Sequence, residues 1–273
     1  MENITELVHN RRSVRTFDGR EINEDDRKKL ALFMEKIENP YGIPVSFKFL
    51  DGKEHALSCP DVSGTDLYVG AKAPRVPHME EAFGYSFEMF VLYAQSIGIG
   101  TVWIGGTMDR PAFERAMALE QNERMPCVSP LGYPAGKRSV RETIMRKAIR
   151  ADSRNSFETI FFDGTFDEPL TKEKAGRLAE VLEMVRLAPS AVNKQPWRVL
   201  ADKNGVHFYL KRAKGFVSEA VGDMQKVDLG IALCHFALAA KENDINVCFH
   251  VNDPGIAVEN GIEYIASYLF PQQ

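Results

Sequence analysis

Four stretches of this chain carry side chains whose types and spacing suit chemistry. In RRSVR, Arg11, Arg12 and Arg15 place three guanidiniums around the hydroxyl of Ser13. A guanidinium is a fixed fork of donors that matches a phosphate or another electron-rich planar group, although a solvated basic turn has the same composition. GIGTVWIGG (98–106) approaches a dinucleotide fingerprint, but Trp103 stands where the third glycine of G-x-G-x-x-G belongs, and a helix leads into the glycines where a strand should. What is left is a helix end at Gly98 and a strand ending at Gly105 and Gly106, where bare backbone can approach a flat ligand. LGYPAGKR (131–138) is a turn that delivers Lys137 and Arg138 together, or simply the start of a basic connector. In APSAVNKQPW (188–197), Ala188 and Pro189 end a helix, Ser190 and Asn193 set short polar groups in a turn, and Pro196 leads into a strand at Trp197. A turn alone would also account for those residues.

The elements that must position these groups fall into two comparable halves. SVRTFDGREINEDDRKKLALFMEKI opens the first and SFETIFFDGTFDEPLTKEKAGRLAEVLEMVRLA the second, and each runs through F-D-G, a polar turn, a helix cap and an amphipathic helix. Asn23 and Thr171 are the expected N-caps, with Glu24, Asp25 and Glu173 just inside, where they meet the positive end of the helix dipole. FVLYAQSIGIGTVWI and HFALAAKENDINVCF align without gaps at an offset of 145, pairing Ala94 with Ala239 and Val102 with Val247. The helices expected at 86–97 and 228–242 are apolar around nearly their whole circumference, as in a helix buried on all sides. They are expected to pack the halves together as two subunits of a dimer would. Short β-rich runs at SFKFL, DLYVG, TVWIG, WRVL and VHFYL are expected strands. Helices alternating with such strands give an α+β fold. The expected organisation is a first half over 1–138, a basic connector over 139–156 and a second half over 157–273.

Bulk properties narrow the function classes. A chain of 273 residues, 44% hydrophobic and 26% charged, can bury a sizeable core. A net charge of −4 gives no general field for nucleic acid or an anionic membrane. No apolar h-region or spanning run is present in the sequence, and Cys59, Cys127, Cys234 and Cys248 are scattered without metal spacing. Buried, reduced thiols in a cytoplasmic protein are the expectation, with no nucleic acid, membrane or metal partner. His78, His207, His235 and His250 read as structural or surface residues.

Taken together, RRSVRTF, PSAVNKQPW, GIGTVWIGG and LGYPAGKR resemble the motifs of the flavin-dependent nitroreductase family, over nearly the whole chain. Their order departs from the family pattern. PSAVNKQPW belongs between the first and third motifs, where this chain reads ENPYGIPVSFKFL, and it lies instead in the second half. That half's own first motif is degraded to RNSFE and its glycine loop to ENDINVCFHVND. The resemblance therefore implies a fused pseudo-dimer that keeps one composite FMN site, complete in a single chain. On that basis Arg11, Arg12, Ser13 and Arg15 would hold the phosphate, ribityl chain and pyrimidine edge, and Lys137 and Arg138 the phosphate. Pro189, Ser190, Ala191 and Asn193 would reach in from the second half. Trp103, Ile104, Gly105 and Gly106 would lie beside the reactive flavin edge. The implied chemistry is hydride transfer from NADH or NADPH to flavin and on to a nitroaromatic, quinone or similar small acceptor, with no catalytic side chain beyond the electrostatic role of Arg15. A flavin-binding carrier or sensor with little turnover is the alternative.

Overall fold

Both expected caps form in the computed structural model, which describes residues 1–137, 139–148, 150–151 and 153–271. The Asn23 side chain accepts from the Asp26 N–H at 2.8 Å and Thr171 from the Lys174 N–H at 3.3 Å. Each satisfies a donor that the first helical turn leaves without a partner. The two apolar helices are longer than their periodicity suggests, Met79–Ser96 and Met224–Glu242. Asp223 caps the second by accepting from the Gln225 and Lys226 N–H groups. The first ends at Ile97, followed by Gly98 at φ 79°, the left-handed stop expected there.

These helices cross at the centre of the molecule with their backbones touching. A Cβ on Gly84 would lie 2.0 Å from the Val227 carbonyl oxygen, and one on Gly230 would lie 2.1 Å from that of Glu81. Gly84 and Gly230 are 146 positions apart, as are Glu81 and Val227, so the contact is symmetric about a pseudo-two-fold axis. The halves thus mate at an offset of 146 rather than 145. An apolar pattern all round a helix tolerates a slip of one residue, whereas a backbone contact does not.

Each half adds an antiparallel sheet. In the first, Ser46–Asp51 pairs with Leu67–Pro74, which also pairs with Val128–Pro130 and Glu123–Arg124. In the second the order is Cys248–His250, Ile262–Leu269, Gly205–Lys211, Trp197–Ala201 and Phe161–Asp163, with only the last pair parallel. The TVWIG run, expected as a strand, makes only isolated bridges, Thr101 with Ser13 and Ile104 with Val128. It changes neighbours within three residues, so no ladder builds. Cys59, Cys127 and Cys234 are buried as expected, but Cys248 is exposed because it lies on an edge strand. Among the described residues no helix is long and apolar enough to cross a membrane, and no group could hold a metal ion.

One packing detail decides where the site forms. The N-terminal helix Ile4–Asn10 buries Ile4 and Val8 in the core of the second half, among Val181, Val185 and Leu229. The Glu242 carboxylate accepts from the backbone N–H groups of Ile4 and Thr5 and from the Thr5 hydroxyl, the last at 2.7 Å. The first residues of one half are therefore held by the other.

Candidate functional site

Arg11 is the C-cap of that N-terminal helix, with extended backbone, so the arginine run starts at the boundary between the halves. It then returns to the first half. Ser13 bridges Thr101, the Val14 N–H donates to the Thr101 carbonyl at 2.9 Å, and the Asp18 N–H donates to the Tyr133 carbonyl at 3.0 Å. These bonds lay the turn 131–137 along the arginine strand, where the Ala135 N–H donates to the Thr16 carbonyl at 3.0 Å. Three of the four motifs are thus brought together by backbone pairing.

A cavity of about 270 Å³ opens beside them, lined by Arg11, Arg12, Ser13, Arg146, Arg154 and Leu187 among others. Burial pulls the Arg11 guanidinium below its ordinary value, opposed by nearby Glu88 and reinforced by Arg146. Arg15 is likewise lowered, first by burial and also by Arg146, against the pull of Glu142 and Asp61. The Nε of Arg11 and an Nη of Arg15 are buried with no hydrogen-bond partner among the described residues. Crowded, desolvated guanidiniums with unused donors call for an anion. Lys137 is exposed and does not line this cavity, and Arg138 lies outside the described residues. The structure instead brings in Arg146 and Arg154 from beyond the turn. Their signal in the sequence was only a basic connector, which reads as solvated surface.

The second-half motif bonds to the connector whose Arg154 lines the cavity. Its turn is strained: Val192, Asn193 and Gln195 all have positive φ, at 48°, 56° and 49°. A β-branched residue is rarely found there. Hydrogen bonds hold the turn in place. The Gln195 N–H donates to the Ser190 hydroxyl at 2.9 Å, and the Ala191 N–H donates to the Asp228 carboxylate at 2.9 Å. Asp228 is buried on the second central helix, and burial pushes its carboxyl well above the usual range. The Asn193 amide donates to the carbonyls of Arg150 and Ser153 at 2.7 and 3.0 Å, and its oxygen accepts from Arg154 at 3.3 Å. Asn193 therefore fastens the end of the connector, and with it Arg154, to the second half. Pro189, Ser190 and Ala191 stay half-buried beside it.

The glycine loop is clamped from below. Arg110 donates to the carbonyls of Gly105, Met125 and Pro126 at 2.8, 2.7 and 3.0 Å. With its carbonyl so engaged, the loop keeps the Gly105 and Gly106 N–H groups without an acceptor among the described residues. A Cβ on Gly106 would meet nothing within 4 Å, so the approach to this backbone is open. Ile104 is buried through its bridge to Val128. The Trp103 indole packs against Phe87, with ring centroids 4.7 Å apart, and donates to Glu88 at 2.9 Å.

The pseudo-symmetric position carries different residues. At the offset of 146, Phe249 corresponds to Trp103, and its ring packs edge-on against Tyr41 at 4.8 Å and Tyr268 at 5.4 Å. A larger cavity of about 920 Å³ lies on the outer face of the second sheet, among His207, Ser267, Cys248 and His250. None of the four motifs reaches it. Its polar floor is internally bonded, with Ser267 at 2.7 Å from both His207 and Tyr264.

A family model described as "Putative TM nitroreductase" matches residues 3–240. The chain belongs to this nitroreductase family. Among solved structures, a Thermotoga maritima protein described as a putative nitroreductase shares the fold at a TM-score of 0.63 and 22% identity, covering 99% of this chain and 95% of its own. A nitroreductase family protein of Clostridium novyi aligns at a TM-score of 0.43 and 20% identity over 50% of this chain and 87% of its own. An FMN-dependent nitroreductase of Clostridium difficile gives 0.42 and 15% over 49% and 88%. No curated protein gives a significant match. The fold is accordingly the duplicated nitroreductase fold, two related halves forming a pseudo-dimer within one chain.

Proposed function

We propose that this nitroreductase-family protein is an FMN-dependent NAD(P)H oxidoreductase with one composite site per chain. The observation that carries this reading is the cavity in which Arg11, Arg12 and Ser13 of the first half face Leu187 of the second, with buried guanidinium donors on Arg11 and Arg15 that have no partner among the described residues. A flavin mononucleotide presents a phosphate at one end and a flat ring with acceptor atoms at the other, which fits that donor set. When bound, it supplies hydride transfer from a nicotinamide and onward delivery of electrons to a nitroaromatic, quinone or similar small acceptor.

The residues of the chain bind and orient. Arg11, Arg12, Ser13 and Arg146 would hold the phosphate in the cavity, with Arg154 completing its wall. Arg15 would place a permanent cation where reduction adds negative charge to the ring, which stabilises the reduced state. Gly105 and Gly106 would offer backbone N–H donors, held in position by Arg110. Pro189, Ser190 and Ala191 would cover the ring from the second half. Arg146→Ala should lower FMN affinity by roughly 10-fold or more, since a charge-assisted hydrogen bond contributes about 1.5–3 kcal/mol, while Lys137→Ala should leave it within about 2-fold because Lys137 does not line the cavity. Isothermal titration of apoprotein with FMN checks both.

The direct test is a flavin count. Reconstituted protein should bind one FMN per chain, elute with the mass of a single chain carrying a complete site, and oxidise NADH or NADPH when a nitroaromatic or quinone is supplied. Two equivalent flavins per chain would contradict the composite site. One tightly bound flavin without turnover would make the protein a carrier instead.

A further inference from the structure

We infer that Glu88 and His235 form a positioning pair that carries the docking of the two halves to the flavin loop through the Trp103 indole. Glu88 lies on the first central helix and His235 on the second, and both are completely buried. One carboxylate oxygen of Glu88 meets His235 Nε2 at 2.9 Å and the other accepts from the Trp103 indole N–H at 2.9 Å. His235 Nδ1 lies 2.9 Å from the carbonyl of Met184, in the helix Ala179–Leu187 whose last residue lines the cavity. One continuous chain of hydrogen bonds therefore joins the glycine loop, both central helices and the second-half helix that leads into Pro189 and Ser190.

Valence fixes the protons in this chain. The Met184 carbonyl only accepts, so Nδ1 carries a hydrogen. The indole only donates, so the Glu88 oxygen it meets is an acceptor. One hydrogen is then held between Nε2 and the other carboxylate oxygen, and the pair has no net charge wherever that hydrogen sits. The charged and titratable neighbours that feel Glu88 are Arg11 from the N-terminal segment, Cys127 beside the glycine loop and Cys234 on the second central helix.

Stability alone does not account for such a group. A buried ion pair gains little over apolar side chains of similar volume. Symmetry points the same way. At the offset of 146 the counterpart of Glu88 is Cys234, that of His235 is Met89 and that of Trp103 is Phe249, so the opposite side of the axis has none of the three groups. The network exists only on the side that keeps the open glycine loop. Its role is to hold Trp103, and so the backbone of Ile104, Gly105 and Gly106, in one position relative to the second half.

This inference rests on the proposed FMN site, and the experiment separates the two. The chain has two tryptophans, and the indole N–H of Trp197 is buried with no partner among the described residues, so Trp103 is the one bonded to a carboxylate. In ¹⁵N-labelled apoprotein its indole N–H resonance should lie downfield and move when FMN is added. Glu88→Leu should move it upfield and weaken FMN binding at least about tenfold, the effect of one lost charge-assisted hydrogen bond. Glu88→Gln can accept from the indole and donate to His235 Nε2, so it should keep FMN affinity within about threefold. If Glu88→Leu does not fold, Trp103→Phe removes only the indole donor and should also weaken binding about tenfold. Wild-type affinity in Glu88→Leu or Trp103→Phe, or an indole resonance unmoved by FMN, overturns the positioning role. Failure of the wild-type protein to bind FMN would instead end the functional proposal.

Discussion

Gly84→Ala should destabilise the protein, although alanine normally favours a helix over glycine by about 1 kcal/mol. The reversal follows from where the new methyl would lie, 2.0 Å from the Val227 carbonyl oxygen and 2.9 Å from its carbon. Both are backbone atoms of a helix packed on all sides, so no rotamer change relieves the contact. The central helices must separate along their whole crossing, which loosens the neighbouring contacts of Phe83, Phe87 and Val227 in the core. Overpacking of this kind costs about 1–3 kcal/mol, and a rigid backbone contact belongs at the upper end. Gly230→Ala meets the Glu81 carbonyl in the two-fold-related way and should behave alike. The double variant should lose less than the sum of the two, because one separation relieves both clashes. Urea unfolding midpoints of the three variants give the comparison. An alanine at either position that left the midpoint unchanged or raised it would contradict the symmetric crossing.

Arg15→Ala should have the largest effect on the flavin itself. Arg15 is desolvated and has an unused Nη donor, so it has already lost its hydration and gains most from a ligand acceptor. Loss of a charge-assisted hydrogen bond should weaken FMN binding by roughly 10- to 150-fold. Removing a cation near the ring should also lower the midpoint potential of the bound flavin, since the reduced form carries the extra negative charge. Arg15→Lys keeps the charge but not the fork, so it should preserve most of the potential and lose part of the affinity. Dye-equilibrated reduction with xanthine oxidase, alongside titration of apoprotein, reads both quantities. A variant that lost affinity but kept the wild-type potential would place Arg15 on the phosphate and away from the ring.

Much of the architecture is legible in the residues because it rests on local rules. The caps at Asn23 and Thr171, the left-handed stop at Gly98 and the helix end at Ala188 each depend on a side chain or backbone preference within a few positions. The two all-apolar helices announce a buried pair in the same way. The TVWIG run misleads for the opposite reason: its β-rich composition is real, but Thr101 and Ile104 find different partners far away in sequence. Lys137 and the connector arginines are indistinguishable in composition, and only burial separates exposed Lys137 from Arg146, which is 8% exposed beside the cavity.

Two related halves, a nitroreductase-like set of motifs, and one complete set of them divided between the halves can all be read from the residues alone. Those properties reside in residue types and their order, which need no coordinates. How the set is assembled depends on contacts between distant parts of the chain. Glu242 of the second half anchors the helix that ends in Arg11, Asn193 ties down the connector that carries Arg154, and Arg110 holds the glycine loop by its carbonyls. In the same fold Glu88, His235 and Trp103 meet, and Phe249 packs against Tyr41 at the opposite position. Each of these contacts joins residues that local rules treat independently. What brings them together is the close crossing at Gly84 and Gly230, where the absence of two side chains lets the halves approach to backbone contact.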